Sequence, residues 1–145
     1  MAYKLFIDTN VYLDFLMQRG SGRECAKDIF KLAEEGAVEV FTSASSVLNL
    51  LYVMGTYKLP RSEIIENTYS ILSFTKLINP GNISFEIALS SAFKDMEDAV
   101  QYYTAIEIKG IDYFITSDIK DYKSALSILT VTTPAAFMKV YDMKS

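Results

Sequence analysis

Three aspartates stand where a side chain can do chemistry. Asp8 follows the apolar run Tyr3–Ile7 directly and leads into Thr9 and Asn10. Asp118, in "DYFITSDIKDY", closes a second apolar run, with Thr116 and Ser117 before it and Asp121 about one helical turn on. Asp98 lies in "KDMEDAVQYYTA", where a helix advancing ~100° per residue puts it on the side of Tyr102, Ala105 and Ile106. A helix that already begins near Asp95 carries that residue on the same face, while Glu97 points away. An inward carboxylate needs a partner or a cation. Two carboxylates at run ends and one on an inward helix face suit Mg²⁺ or Mn²⁺, which take oxygen ligands. Each position also has a local reading: Thr9 or Asn10 caps a helix, Asp118 makes an Asx turn, and acids at a helix start favour the macrodipole. The macrodipole accounts well for Glu97 and poorly for Asp98, which borders the apolar stripe.

The rest of the composition narrows the chemistry. Histidine is absent and Cys25 is the single cysteine. His-based triads, imidazole bases, His-ligated or Cys-rich zinc and an internal disulfide are all excluded. A lone cysteine fits a reducing, cytoplasmic setting. Lysine and arginine number 14 against 18 acidic residues, a net charge of −4, so any grip on nucleic acid is local or mediated by cations. Candidate basic contacts are Arg23, Lys27 and Lys31 along one helix face, and Lys120 and Lys123; a solvated face is the plainer account of both. No run approaches the roughly 18 apolar residues of a membrane span, and the first residues lack the regions of a signal peptide.

The elements that must position these residues are legible in outline. The 145 residues, half of them hydrophobic, make one domain, 1–145. Tyr3–Asp8, Val38–Ser43, "KLINP", "DYFITSD" and "SILTVTT" read as strands. Between them lie helical patterns: "VYLDFLMQ", "RECAKDIFKLAEEG" stopped by Gly36, "ASSVLNLLYVMGTYK", "RSEIIENTYSILSF" with Ser62 as N-cap, Phe85–Ala92, the long stretch from Asp95 stopped by Gly110, and a closing helix from Pro134. Short strands alternating with helices predict an α/β fold around a mostly parallel sheet, whose ligands bind beyond the carboxyl ends of the strands. Asp8 and Asp118 fall there. On the helix from Ala44 to Lys58, Ser45, Asn49, Tyr52 and Thr56 form a polar stripe on an otherwise apolar surface. Asn49 is either an interior amide satisfied by neighbours or an amide lining a site.

Together "FIDTNVYLDFL", "FTSASSVLNLLYVM", "DMEDAVQYYTAI" and "DYFITSDIKDY", in this order and spacing over nearly the whole chain, resemble the PIN domain family, which includes the VapC-type toxins of toxin–antitoxin pairs. The resemblance implies a three-layer α/β/α sandwich with a central parallel sheet and a divalent-metal-dependent ribonuclease. By position it implies that Asp8, Asp98 and Asp118 are the catalytic, metal-binding acids. Thr9, Asn10, Thr116 and Ser117 would be polar residues around them, with Asp95, Glu97 and Asp121 flanking. Many VapC-like members carry Glu where this chain has Asn49, and "VLNLLYV" resembles a variant subgroup with Asn there. Dimers are common in the family and an antitoxin protein is a frequent partner, so a homodimer and an antitoxin are implied beside the RNA substrate.

Other readings remain. A weak or inactive PIN-like module that binds RNA or a protein is favoured by Asn49. A phospho-acceptor receiver domain needs a mid-chain strand ending in Asp, and "VEVFTS" ends on Ser43. A haloacid-type phosphatase needs Asp two residues after Asp8, where Asn10 stands. The apolar helix Ala44–Lys58 suits core, a dimer interface or a partner's seat.

Overall fold

The computed structural model describes residues 2–125 and 127–144. Its centre is the strand β1 (Tyr3–Ile7), flanked by β2 (Val38–Ser43) on one side and β4 (Tyr113–Ile115) on the other. Outside them lie β3 (Thr75–Ile78) and β5 (Thr130–Thr132), giving the order β3-β2-β1-β4-β5 with every pairing parallel. Parallel strands need crossovers, and those helices cover both faces of the sheet. The expected α/β/α sandwich is the fold observed.

Strand periodicity divides the core into two. Leu5 and Ile7 join Val11, Tyr12, Phe30, Leu50 and Phe137 on one face. They pack under α1 (Thr9–Leu16), α2 (Arg23–Glu34), α3 (Ala44–Thr56), α4 (Arg61–Phe74) and α7 (Pro134–Lys144). Phe6 points the other way and stacks on Phe114, centroids 5.3 Å apart, within a cluster that includes Tyr102, Tyr103 and Tyr122. That face is covered by α5 (Asn82–Leu89), α6 (Met96–Ile106) and a 3₁₀ turn, Ile119–Tyr122.

Local signals set the element ends. Gly36 adopts φ 77°, the left-handed conformation in which α2 stops. Asp95 caps α6 by accepting from the Asp98 N–H at 3.1 Å. Ser62, by contrast, does not cap α4. The helix starts one residue earlier, at Arg61, and the Pro60 carbonyl takes the N–H groups of Glu63 and Ile64 at 2.9 and 3.0 Å. Ser62 is thus already inside the first turn.

From β1 the chain moves outward through β2 to β3, and later returns to the opposite side of β1 for β4 and β5. The order reverses between β1 and β4, which opens a crevice beyond their carboxyl ends. Asp8 and Thr116 are the first residues past those ends. Phe30 anchors the helical layer, stacking on Tyr12 at 5.0 Å and Phe74 at 4.9 Å and meeting Phe15 edge-on. Replacing it by alanine is expected to cost about 3–5 kcal/mol in urea unfolding; a loss under about 1 kcal/mol would mean that α1, α2 and α4 are not held together there.

Candidate metal-binding active site

Asp8 occupies the N-cap position of α1 in extended conformation, yet its side chain makes no cap bond. Its backbone N–H bonds the Ile115 carbonyl at 2.9 Å, which ties the exit of β1 to β4. The carboxylate turns into the crevice between them and is 3 % exposed. Thr116 Oγ1 donates to Oδ2 at 2.8 Å and Gln101 Nε2 donates to Oδ1 at 3.2 Å. Gln101 is oriented in turn: its Oε1 accepts from Ser46 Oγ at 3.3 Å, and Ser46 accepts from Thr9 Oγ1 at 2.9 Å. A chain of neutral donors thus runs from α1 through α3 and α6 to one buried carboxylate. Burial raises the Asp8 carboxyl above its ordinary range, opposed by the bonds from Thr116 and Gln101.

Asp98 and Gln101 lie three residues apart on α6 and therefore share a face. While Gln101 reaches Asp8, Asp98 Oδ1 accepts from the Tyr122 hydroxyl at 3.3 Å. That phenol also interacts with Asp8, so it stands between the two carboxylates. Burial, followed by the charges of Asp8 and Asp98, drives Tyr122 far above its ordinary pKa, which keeps it a donor. Burial and the nearby charges of Asp8 and Asp95 push Asp98 up to about 7. Among the described residues no lysine or arginine forms an ion pair with Asp8, Asp98, Asp118 or Asp121.

The other expected residues fall at graded distances from this pair. Asp118 follows β4 with its N–H on Thr116 Oγ1 at 3.1 Å, and it interacts with Asp121. Asp121 is raised by desolvation first and by Asp118 next, and it acts on Asp98 in turn. A cavity of about 420 Å³ beside Asp98 is lined by Asp95 and Asp121 together with Lys94, Lys120 and Lys123. Ser117 is directed elsewhere, donating to Asp14 Oδ2 at 2.8 Å, and Asn10 is exposed. Arg23 and Lys27 line a separate hollow with Gln18 and Asn67. Asn49 is an exposed amide at a second cavity, also about 420 Å³, which includes Thr9, Gln101 and Glu97.

Among the described residues no three acidic, histidine or cysteine side chains converge closely enough to enclose an ion. The donors nevertheless fit a hard cation. They are oxygen only, two of them meet the same Tyr122 hydroxyl and neither is ion-paired to a lysine or arginine among the described residues, and Mg²⁺ commonly takes one or two carboxylates and completes its shell with water and substrate phosphate. Gln101, Ser46 and Tyr122 did not emerge from the sequence as site residues. Gln101 left a signal, a long amide within the apolar run "AVQYYTAI"; Tyr122 left none, being one of ten tyrosines.

The family model described as PIN domain matches residues 4–120. The chain belongs to the PIN domain family. Members of this family are generally nucleases, and PIN nucleases generally use divalent metals. A chain in the crystal structure of VapBC2 from Rickettsia felis, bound to a DNA fragment from their promoter, shares the fold with a TM-score of 0.63. Identity is 14 %, over 90 % of this chain and 98 % of that one. No curated protein matches the chain. The fold is of the PIN nuclease type, and none of the helices among the described residues is long and apolar enough to cross a membrane.

A raised Asp98 makes stability depend on pH. Between its ordinary value of 3.8 and about 7 the folded state keeps a proton that the unfolded chain has released. Stability therefore falls as pH rises through that window. Asp98→Asn is expected to melt higher than wild type at pH 8 and to show a flatter melting profile from pH 4 to 7 by circular dichroism. Parallel profiles would mean that Asp98 carries no strain from its acidic neighbours.

Proposed function

We propose that this PIN domain is a metal-dependent endoribonuclease, with Asp8, Asp98 and Asp118 as its metal-binding acids and Mg²⁺ or Mn²⁺ as its cofactor. The observation that carries the reading is the Asp8–Asp98 pair: two carboxylates meeting one phenol in a crevice, one of them 3 % exposed, with hydroxyl and amide donors and, among the described residues, no ion-paired lysine or arginine. Like charges gathered at a fold's ligand-binding crevice hold an arrangement that is worth its strain only with a cation present. The bound ion would supply a water lowered in pKa and neutralise charge on the phosphoryl oxygens.

The chain's own residues do the positioning. Thr116 and Gln101 fix both oxygens of Asp8, Ser46 and Thr9 fix the Gln101 amide, and the Tyr122 hydroxyl steadies Asp98. Asp118 reaches the cluster through Asp121. In hydrolysis a water oxygen bonds to phosphorus, one phosphodiester P–O bond breaks, and the departing oxygen takes up a proton. The lysines beside Asp98 lie where the flanking phosphates of a single strand would pass.

The physiological role that fits best is the toxin of a toxin–antitoxin pair. Support comes from family membership and from the fold shared with a chain of the VapBC2 complex. Leu48, Tyr52 and Tyr69 on α3 and α4 are each more than 65 % exposed, and such surface suits an antitoxin or a second copy of the chain. A weaker reading, an inactive PIN module that binds RNA or protein, draws on the lack of three converging acidic groups and on Asn49.

The test is cleavage of a mixed single-stranded RNA pool with Mg²⁺, with Mn²⁺ and with EDTA. Metal-dependent cleavage is expected, reduced more than about a hundredfold in Asp8→Asn and Asp98→Asn. Gln101→Leu, which removes the orienting bond to Asp8 and leaves Ser46 Oγ without its acceptor, is expected to lose about ten- to a hundredfold. Normal cleavage by folded Asp8→Asn would remove that residue from the mechanism; no cleavage with either metal would leave the binding module as the account. Calorimetry adds a second readout. Because a cation must displace the proton on Asp98, Mn²⁺ affinity is expected to rise from pH 6 to pH 8 with proton release.

A further inference from the structure

The N-terminal turn of α6 separates two cavities of opposite character. On one side Asp95 and Asp98 share their cavity with Lys94, Lys120 and Lys123. On the other side Met96, Glu97 and Val100 face α3 and α5, where Phe85 and Leu89 form an apolar wall and Asn49 stands opposite. No lysine or arginine lines this second cavity among the described residues. Its inner end is not separate from the acidic site. Thr9, Ser46 and Gln101 line it, and these are the residues whose hydrogen bonds run to Asp8.

From this arrangement we infer that the apolar cavity receives one unstacked base of a single-stranded RNA whose adjoining phosphate lies over Asp8 and Asp98. The inference rests on the ribonuclease reading and adds what that reading lacks, a place where sequence is read. A phosphate is a poor occupant, because the lining has no cation and includes the Glu97 carboxylate. A base suits it on three counts. The volume of about 420 Å³ lies in the range of small-molecule pockets. Phe85, 47 % exposed, offers a ring face for stacking. Glu97 and Asn49 are exposed side chains with no hydrogen-bond partner among the described residues, free to meet a base edge.

Glu97 sets the direction of choice. A carboxylate accepts hydrogen bonds, so it favours adenine, cytosine or guanine, which each present an exocyclic amine, over uracil, whose one edge donor, N3–H, is flanked by two carbonyl acceptors. Single-stranded RNA is the form that presents bases this way, since its unstacked bases can be splayed onto aromatic side chains and read on their edges. The lysine side of α6 then carries the neighbouring phosphates, so one helix turn sorts the chain into base on one side and backbone on the other.

The experiment is to cut a randomised single-stranded RNA pool with the full chain in Mn²⁺ and to sequence the ends. Wild type is expected to show one position beside the cut where uracil is depleted. Glu97→Gln should flatten that bias at least about threefold, and Phe85→Ala should raise KM by about five- to a hundredfold. Both side chains are exposed, so melting curves should stay at the wild-type value. A metal-free readout runs beside it: an RNA with 2-aminopurine at the same position, bound in EDTA, should brighten with wild type and not with Phe85→Ala. Wild-type bias and KM retained in both variants would overturn the pocket and leave the nuclease standing. A wild-type protein that neither cuts nor binds the pool would overturn the ribonuclease reading, and the pocket with it.

Discussion

Everything at this site depends on keeping one carboxylate out of water. Asp8 comes at the end of the central strand, where the sheet order reverses, and the backbone bond to Ile115 leaves its side chain nowhere to go but the crevice. A buried charge there is costly unless it is hydrogen-bonded. The surrounding structure supplies those bonds from three different elements, Thr116 after β4, Gln101 on α6 and, behind Gln101, Ser46 on α3. Those bonds reduce the strain without cancelling it, for burial still raises Asp8 and the acid beside it rises to about 7. Under the proposed function, the strain that remains is what a bound cation would relieve.

The same constraint explains why α6 is arranged as it is. Asp95 caps the helix and sets its starting angle. From that start, successive residues divide between two surfaces, with Asp98 turned to the acidic side and Glu97 to the apolar cavity. Gln101, one turn further, crosses back to Asp8. A one-residue shift at the cap would turn each side chain by ~100°, so a small local signal determines which of them face the acidic cavity and which the apolar one.

Much of this could be read without coordinates, for reasons that differ by residue. Asp8 was legible because a carboxylate directly after the apolar run Leu5–Ile7 conflicts with burial, and the conflict is local. Asp98 was legible because helical periodicity puts it on the inward face. The parallel sheet followed from strands alternating with helices, and the order of motifs supported the family. Gln101, Ser46 and Tyr122 were not picked out, because their roles come from contacts across 93, 55 and 24 positions of sequence respectively. No periodicity encodes which amide will face which carboxylate. Ser62 misled for a simpler reason: a serine before an apolar stripe resembles a cap, but the carbonyl of Pro60 already served. Asn49 turned out to be exposed at the apolar cavity, so its charge loss relative to Glu bears on that surface more directly than on the Asp8–Asp98 pair.

The most direct measurement is an anomalous diffraction map of crystals of the wild-type chain grown with saturating Mn²⁺. A peak bonded to carboxylate oxygens of both Asp8 and Asp98, with the Tyr122 hydroxyl moved off Asp98 or bonded to the ion's water, is the predicted result. A map with no peak in the crevice, and Asp98 still on Tyr122, would contradict the claim that these carboxylates are gathered to hold a metal.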